Sequence, residues 1–374
     1  MKKIITALII VIACTGNVKA QKSLKSSNSD DILRIENYLG NYENIHPKVL
    51  YFEEGWNGYE YWMAYTPYPL GEVNAENPCI AVSHDGFIWK VPAGMGNPLA
   101  FAPEEGYNSD THLVYNPKTN LLECWWRVYN IPNEYDAICR RVSSNGTEWE
   151  EMEVILPFNK SQTARLSPTV WIENDIYRMI FSDGQKLCEI HCSLSSDTPE
   201  WSSPAILPIN LGKLRAWHQD LIVNEEGNLE MVVNLITPGG TNNTTDLYYI
   251  EVKGDLSEAS DPVMILKKGE DETDFDHRSI YRSSIVKTSD EYRLYYSCID
   301  QGWHRYMSLM RGPSIFEMKG LTEDDFNASV KLIEDKEKNY KYYDIQGRIV
   351  KENSIEKGMY IRNNGNRSEK ILIK

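Results

Sequence analysis

Asp110-Thr111-His112-Leu113-Val114-Tyr115 is polar for three residues and apolar for the next three, and it is one of five copies of that pattern. The others are His46-Pro47-Lys48-Val49-Leu50-Tyr51, Ser167-Pro168-Thr169-Val170-Trp171-Ile172, His218-Gln219-Asp220-Leu221-Ile222-Val223 and Arg282-Ser283-Ser284-Ile285-Val286. The copies recur at intervals of about sixty residues, which is the signature of a repeat architecture. Each reads as a strand. Turn residues follow every copy: Asn57-Gly58, Pro117-Lys118-Thr119-Asn120, Glu173-Asn174-Asp175, Glu225-Glu226-Gly227-Asn228 and Ser289-Asp290-Glu291. This is hairpin chemistry, and an aromatic-rich second strand comes after it. A third strand often ends in a short motif. Ser83-His84-Asp85-Gly86-Phe87-Ile88-Trp89 is matched by Ser143-Ser144-Asn145-Gly146-Thr147-Glu148-Trp149 and, degenerately, by Ser195-Ser196-Asp197-Thr198-Pro199-Glu200-Trp201. Ser and Asp or Asn side chains fix such turns by local hydrogen bonds, so Asp85 is read as structural.

Five repeats of three or four antiparallel strands predict an all-β fold, a five-bladed β-propeller over residues 41–320, with the first strand of each repeat lining the channel. Residues 1–20 read as a signal peptide. Lys2 and Lys3 precede an apolar run from Ile4 to Ala13 that is too short for a stable span. Cleavage after Ala20 is favoured over lipid attachment at Cys14, so the chain is expected to be exported, to the periplasm, cell surface or medium. Residues 21–40 and 321–337 are expected as linkers, and 338–374 as a small β-module with Gly turns.

The chain has 374 residues, a net charge of −15, 23 Tyr and 10 Trp but only 8 Phe. Such acidity argues against a nucleic-acid partner and favours a neutral ligand. Tyr and Trp suit half-buried strands and surfaces that face an oligo- or polysaccharide, and aromatics favour strands in any case. Of seven cysteines, six remain after the signal is removed. Most are expected as buried free thiols, with Cys124 and Cys139 on adjacent strands as the alternative pair. Cys188-Glu189-Ile190-His191-Cys192 is not read as a metal site, because on a strand His191 points away from both thiols.

Aligned on their apolar runs, the five inner strands begin with His46, Asp110, Ser167, His218 and Arg282, and two residues on carry Lys48, His112, Thr169, Asp220 and Ser284. Residues two apart share a face, so two stacked polar rings are expected at one mouth of the channel. Val49, Leu113, Val170, Leu221 and Ile285 would share a different, apolar face. Convergent polar groups in a concave site make this mouth the candidate binding site.

The repeat, the Ser-x-Asp-Gly-x-x-Trp turns and the polar inner-strand starts resemble the five-bladed glycoside hydrolases of family 43 and its relatives. In that family an Asp base lies in the first blade, an orienting Asp in the second and a Glu acid in the third. Asp110 matches the second position, whereas His46 and Ser167 stand at the other two. The resemblance implies an exported glycoside hydrolase acting on a plant or microbial glycan, inverting and furanosidase-like. Such an enzyme needs two carboxyl groups about 6.5–9.5 Å apart. Asp110 is expected to activate water, and Asp220 or His218 to protonate the leaving oxygen. His46, His112, Trp217, Arg282, Trp303, His304 and Arg127 are the expected substrate contacts. Arg127, Arg282 or Arg305 would suit a uronate, and Trp217 a sugar-stacking platform; Trp125 and Trp126 are read mainly as core. The alternatives are a non-catalytic carbohydrate-binding propeller and a sialidase-like or lyase propeller. No cofactor is expected beyond a structural Ca²⁺ that the axis could hold. His46, His112 and His218 could instead take a transition metal, but without dedicated spacing no metal site is assigned. The last 35 residues or so, with Tyr342-Tyr343-Asp344-Ile345-Gln346-Gly347-Arg348-Ile349-Val350, resemble the C-terminal sorting domain of Bacteroidetes secreted proteins.

Overall fold

Short strands rich in aromatic and β-branched residues, separated by turn residues, fold locally into antiparallel meanders, and here they do so repeatedly. The computed structural model describes residues 24–130, 135–159, 165–193, 200–329, 341–350, 358–363 and 368–373. Within them, five sheets follow one another. The first comprises Asn44–Trp56, Tyr59–Pro67 and Cys79–Ser83. The second comprises Gly106–Asn116, Leu121–Asn130, Tyr135–Ser143 and Glu153–Asn159. The third comprises Leu166–Glu173, Ile176–Ser182, Leu187–Ser193 and Ala205–Ile206. The fourth comprises Arg215–Val223, Leu229–Ile236, Thr245–Val252 and Val263–Leu266. The fifth comprises Ser279–Lys287, Tyr292–Ile299, Arg305–Gly312 and Lys319–Gly320.

The first strands of these sheets touch in sequence order, and that of the fifth returns to that of the first. The apolar cores lie between neighbouring sheets. Trp62 and Ile80 of the first sheet pack with Leu113 and Trp126 of the second. Trp125 of the second packs with Met179 and Phe181 of the third. Ile180 and Leu187 of the third pack with Leu221 and Met231 of the fourth. Val232 and Leu247 of the fourth pack with Ile285 and Tyr296 of the fifth. Tyr295 and Leu309 of the fifth pack with Tyr61 and Met63 of the first, which closes the ring. The result is a nearly all-β propeller fold. All six described cysteines are free and buried. Cys124 stands opposite Arg141, and Cys139 opposite Trp126, so the two thiols are not a ladder pair.

The turn motifs are hydrogen-bonded staples. Ser83 Oγ accepts from the backbone N–H groups of Asp85 and Gly86 at 3.2 and 2.8 Å. Asp85 Oδ1 accepts from Phe87 and Ile88 at 2.8 and 3.0 Å. Trp89 Nε1 donates back to Gly86 O at 3.0 Å. Ser143, Asn145 and Trp149 repeat the same bonds at 2.8–3.3 Å. Gly146 has φ +76°, and a Cβ there would lie 2.0 Å from the buried Trp62 ring, so only glycine fits. Most of the third copy, Ser195 to Pro199, lies outside the described residues.

The stretch expected as the first linker is packed wherever it is described. Ile32, Leu33 and Ile35 are buried. Asp30 N–H donates to Leu321 O at 2.8 Å, and Leu33 N–H to Met307 O at 2.7 Å. The stretch therefore clasps the fifth sheet, because its alternating apolar residues complete a core. Asn28 Nδ2 extends the clasp to Asp276 Oδ2 and Lys267 O, both at 2.8 Å. The second expected linker also begins packed, with Leu321 buried and Phe326 against the core. The stretch expected as a signal peptide, with Cys14 and Ala20, and residues 330–337 of that linker lie outside the described residues. At the C-terminus Lys341–Asp344, Ile349–Val350, Gly358–Asn363 and Ser368–Ile373 form a separate small sheet.

Burial raises the Asp276 carboxyl to about 6, against the pull of the Asn28 amide and with Asp274 adding to the rise. The folded state then holds more protons than the unfolded chain between about pH 4 and 6, so stability falls as pH rises through that window. Above it the full cost, about 3 kcal/mol for a rise of about two units, is present. Asp276→Asn is therefore expected to be more stable than the parent at pH 7.5 and equal to it near pH 4. Denaturant unfolding at both pH values checks this; an equal gain at both would refute it.

Candidate functional site

The first strand of every sheet carries one residue more than its partner opposite the polar start, so each ladder breaks there. The breaks fall between Ile45 and Lys48, Ser109 and His112, Leu166 and Thr169, Ala216 and His218, and Ile280 and Arg282. In the first three sheets the bulge holds His46, Asp110 and Ser167 at φ 57°, 56° and 56°. A left-handed non-glycine residue costs on the order of 1–3 kcal/mol and persists only where its surroundings enforce it. Bulges re-aim side chains. Here they turn His46 and Asp110 toward His218 and Arg282.

Asp110 is the hub. Its Oδ2 accepts from Arg127 Nε at 3.0 Å. Its Oδ1 lies 3.5 Å from His46 Nε2, 3.6 Å from His218 Nδ1 and 3.6 Å from Arg282 Nη1. His46 Nδ1 faces Thr66 Oγ1 at 3.0 Å, Asp110 N–H at 3.3 Å and Glu76 Oε1 at 3.5 Å. Ser109 Oγ donates to Glu76 Oε1 at 3.3 Å. One ligand atom from each of His46, Asp110 and His218 falls within a 4.8 Å cluster. Asp110 Oδ1, His46 Nε2 and both His218 ring nitrogens are buried and make no hydrogen bond. Arg282 Nε and Nη1 and Ser167 Oγ share that condition.

Burial holds the His46 imidazole well below its ordinary value, against the attraction of Asp110, and lowers His218 to about 3. Burial alone would raise Asp110, but the Arg127 guanidinium, with Arg282, holds its carboxyl well below the usual range. Burial, with Asp110 nearby, raises Glu76 well above its ordinary value. At neutral pH the cluster thus presents two neutral imidazoles and one carboxylate. Two nitrogens and one oxygen suit a divalent transition metal better than Ca²⁺, which takes oxygen ligands. Buried polar atoms without partners are otherwise costly, so this donor set fits an ion.

The second polar ring is engaged differently. Lys48 Nζ donates to both Asp220 oxygens at 2.7 and 3.0 Å, and Ile285 N–H donates to Asp220 Oδ2 at 3.0 Å. The residue expected as a proton donor is therefore locked in an ion pair. His112 Nε2 is bonded to Val170 O at 2.9 Å, which leaves Asp110 rather than His112 as the third member beside His46 and His218. Thr169 Oγ1 donates to Gln219 O, and Ser284 Oγ accepts from Val49 N–H. Beyond this ring Val49, Leu113, Val170, Leu221 and Ile285 help line a cavity of about 510 Å³.

Arg127 is not a free uronate clamp: besides Asp110 it faces Asp136 at 3.6 Å. Trp125 and Trp126 are core residues. Trp217 and Tyr281 stack edge-on to His218, at ring distances of 5.2 and 4.8 Å. Trp303 is 42% exposed, has φ 68°, and lies 4.3 Å from the Arg278 guanidinium. His304 pairs with Glu43 at 3.1 Å. The sequence reading missed Glu76 and Thr66, and noted Tyr281 with Arg282 only for the sialidase-like alternative. Glu76 follows two 3₁₀ turns in an irregular connection, and no repeat spacing marks it.

No protein-family model matches the chain. Over 108 residues it is 40% identical to the A type blood N-acetyl-alpha-D-galactosamine deacetylase of Flavonifractor plautii, a stretch that is 28% of this chain and 14% of that protein. The matched stretch is thus a small part of the curated relative's length. An N-acetylgalactosamine deacetylase structure from F. plautii, in complex with blood group B trisaccharide, superposes with a TM-score of 0.65 at 20% identity, over 78% of this chain and 94% of that one. A bifunctional GH43-CE protein of Bacteroides eggerthii gives 0.54 at 12% identity, over 80% of this chain and 36% of that one. Glycoside hydrolases of families 43 and 62 are also among the structural neighbours. The chain has their propeller fold.

Proposed function

We propose that the protein is a metal-assisted hydrolase that removes the acetyl group from an N-acetylated sugar of a glycan. The observation that carries this is the convergence of His46, Asp110 and His218, whose unpartnered ligand atoms cluster within 4.8 Å at the start of the inner strands. The local identity to a deacetylase supports it. A divalent metal held by these three residues would acidify a water and polarise the acyl oxygen. Asp110 stays ionised and the imidazoles neutral, so all three offer lone pairs. The water's proton ends on the departing nitrogen, while Glu76, on the far side of His46 at Nδ1, orients that ring. Water oxygen joins the acyl carbon, the carbon–nitrogen bond breaks, and acetate and a free amino sugar result. Arg127 and Arg282 keep Asp110 charged and turned inward.

A second reading, glycoside hydrolysis, is favoured by the carboxyl groups of Glu76 and Asp110, which flank the His46 ring at its two nitrogens. One experiment separates the two. Protein dialysed against EDTA and reloaded with Zn²⁺, Mn²⁺ or Co²⁺ is incubated with oligosaccharides ending in N-acetylgalactosamine or N-acetylglucosamine. Metal-dependent acetate release is expected. Release of monosaccharide without acetate, unaffected by EDTA, would favour glycoside hydrolysis.

We also read the five sheets as five blades spanning 41–320, residues 1–20 as an export signal, and 338–374 as a module resembling the Bacteroidetes sorting domain. N-terminal sequencing of protein from culture fractions tests the export reading; a cytoplasmic chain retaining Lys2 and Lys3 would refute it.

A further inference from the structure

Among the described residues five large apolar clusters lie between neighbouring sheets, and a sixth, much smaller one lies at the candidate site. It consists of Ile45, Tyr281 and Ile299, with Tyr68 and Trp217 packed against them. Two of its members occupy special places in the chain. Trp217 and Tyr281 are the extra residues of the bulges in the fourth and fifth sheets, immediately before His218 and Arg282. A bulge residue has no partner in the ladder, so its side chain leaves the alternation that would otherwise carry it into a core. The Tyr281 ring lies 4.8 Å from the His218 ring and 5.8 Å from that of His46, and Trp217 lies 5.2 Å from His218. The opposite side of the triad is polar, formed by Arg127, Arg282 and Glu76.

We propose that Trp217 and Tyr281, backed by Ile45 and Ile299, wall an acyl pocket beside His46 and His218 that takes a methyl group and excludes longer chains. This rests on the deacylation reading. An acyl group whose oxygen faces the triad must turn its alkyl end away from it, and the side formed by Ile45, Tyr281, Ile299 and Trp217 is the apolar one among the described neighbours. Tyr281 is itself packed and buried, so a longer chain would have to displace a ring held in a cluster. The pocket therefore selects by acyl length, independently of which sugar carries the amide.

Two measurements test this. Zn²⁺-loaded protein is titrated with acetate, propionate and butyrate by calorimetry, which needs no turnover. Acetate is expected to bind at least about tenfold more tightly than butyrate. In parallel, N-acetyl, N-propionyl and N-butyryl galactosamine glycosides are compared as substrates for the parent, Trp217→Ala and Tyr281→Ala. The parent is expected to prefer acetyl over butyryl by at least about a hundredfold, and each variant by less than about tenfold. Equal binding of acetate and butyrate, or folded variants that keep the parent's preference, would overturn the proposal. If no amide is hydrolysed by any metal form, the deacylation reading fails; the carboxylate titration still decides whether the pocket selects by length.

Discussion

His218→Ala is expected to abolish metal-dependent stabilisation and to lower activity by on the order of a thousandfold, while leaving the fold intact. The imidazole is 2% exposed and neither of its nitrogens makes a hydrogen bond. What the apo protein loses is packing against Trp217, Tyr281 and His46, a cost of about 2–5 kcal/mol that the removal of two unpartnered buried nitrogens offsets by about 1–3 kcal/mol. Its two remaining partners, His46 and Asp110, cannot hold an ion as three can. A ligand present at a hundred times its dissociation constant stabilises a protein by about 2.7 kcal/mol. The parent should therefore melt at a higher temperature when Zn²⁺ is added, and His218→Ala should not. Equal metal-induced shifts in the two proteins would remove His218 from the site.

Asp110→Asn should behave differently, because Asp110 is the anion of a cationic cluster. Arg127 donates to it at 3.0 Å and Arg282 lies 3.6 Å away, and Arg282 is almost wholly buried. Removing one partner of a buried ion pair leaves the other charge uncompensated and costs about 3–5 kcal/mol. For a domain of this size each kcal/mol corresponds to about 2–4 °C, so the apo variant should melt roughly 6–20 °C below the parent. Adding Arg127→Met to Asp110→Asn should recover part of that loss, since the orphaned charge is then gone. A loss under about 1 kcal/mol would mean that Asp110 is not the electrostatic keystone. The contrast between a ligand that is cheap to remove and one that is costly would distinguish a metal cluster from a purely structural polar core.

The repeat was legible because it is written in period two with turn residues at regular spacing, and that pattern needs no tertiary context. The inner strands and the register of their polar starts followed from it. Which polar residues act together did not follow. A bulge adds one residue and rotates what comes before it, and nothing in His46-Pro47 or Asp110-Thr111 announces that rotation in advance. Hence Asp220, in step with His218 by simple alternation, is bound to Lys48, and His112 is bound to a carbonyl. Glu76 lies in a connection with no period at all. The stretch before residue 41 looked like a linker because its apolar residues are few; Ile32, Leu33 and Ile35 complete a core supplied by residues nearly three hundred positions away.

That clasp has a consequence for how the molecule is made. Asp30 bonds to Leu321 and Leu33 to Met307, so the fifth sheet and its junction with the first are finished by the earliest described part of the chain. Contacts of such sequence separation form slowly, because a very long loop must close before they repay its entropy. Early sheets can form first, but the ring cannot shut until Leu321 is in place. Until then Leu33, Ile35 and the first sheet's face toward the fifth remain open, and the nascent chain is a good client for chaperones that hold unfolded proteins. Completion is in this sense a single late event, and any truncation before Leu321 should leave a ring that stays open.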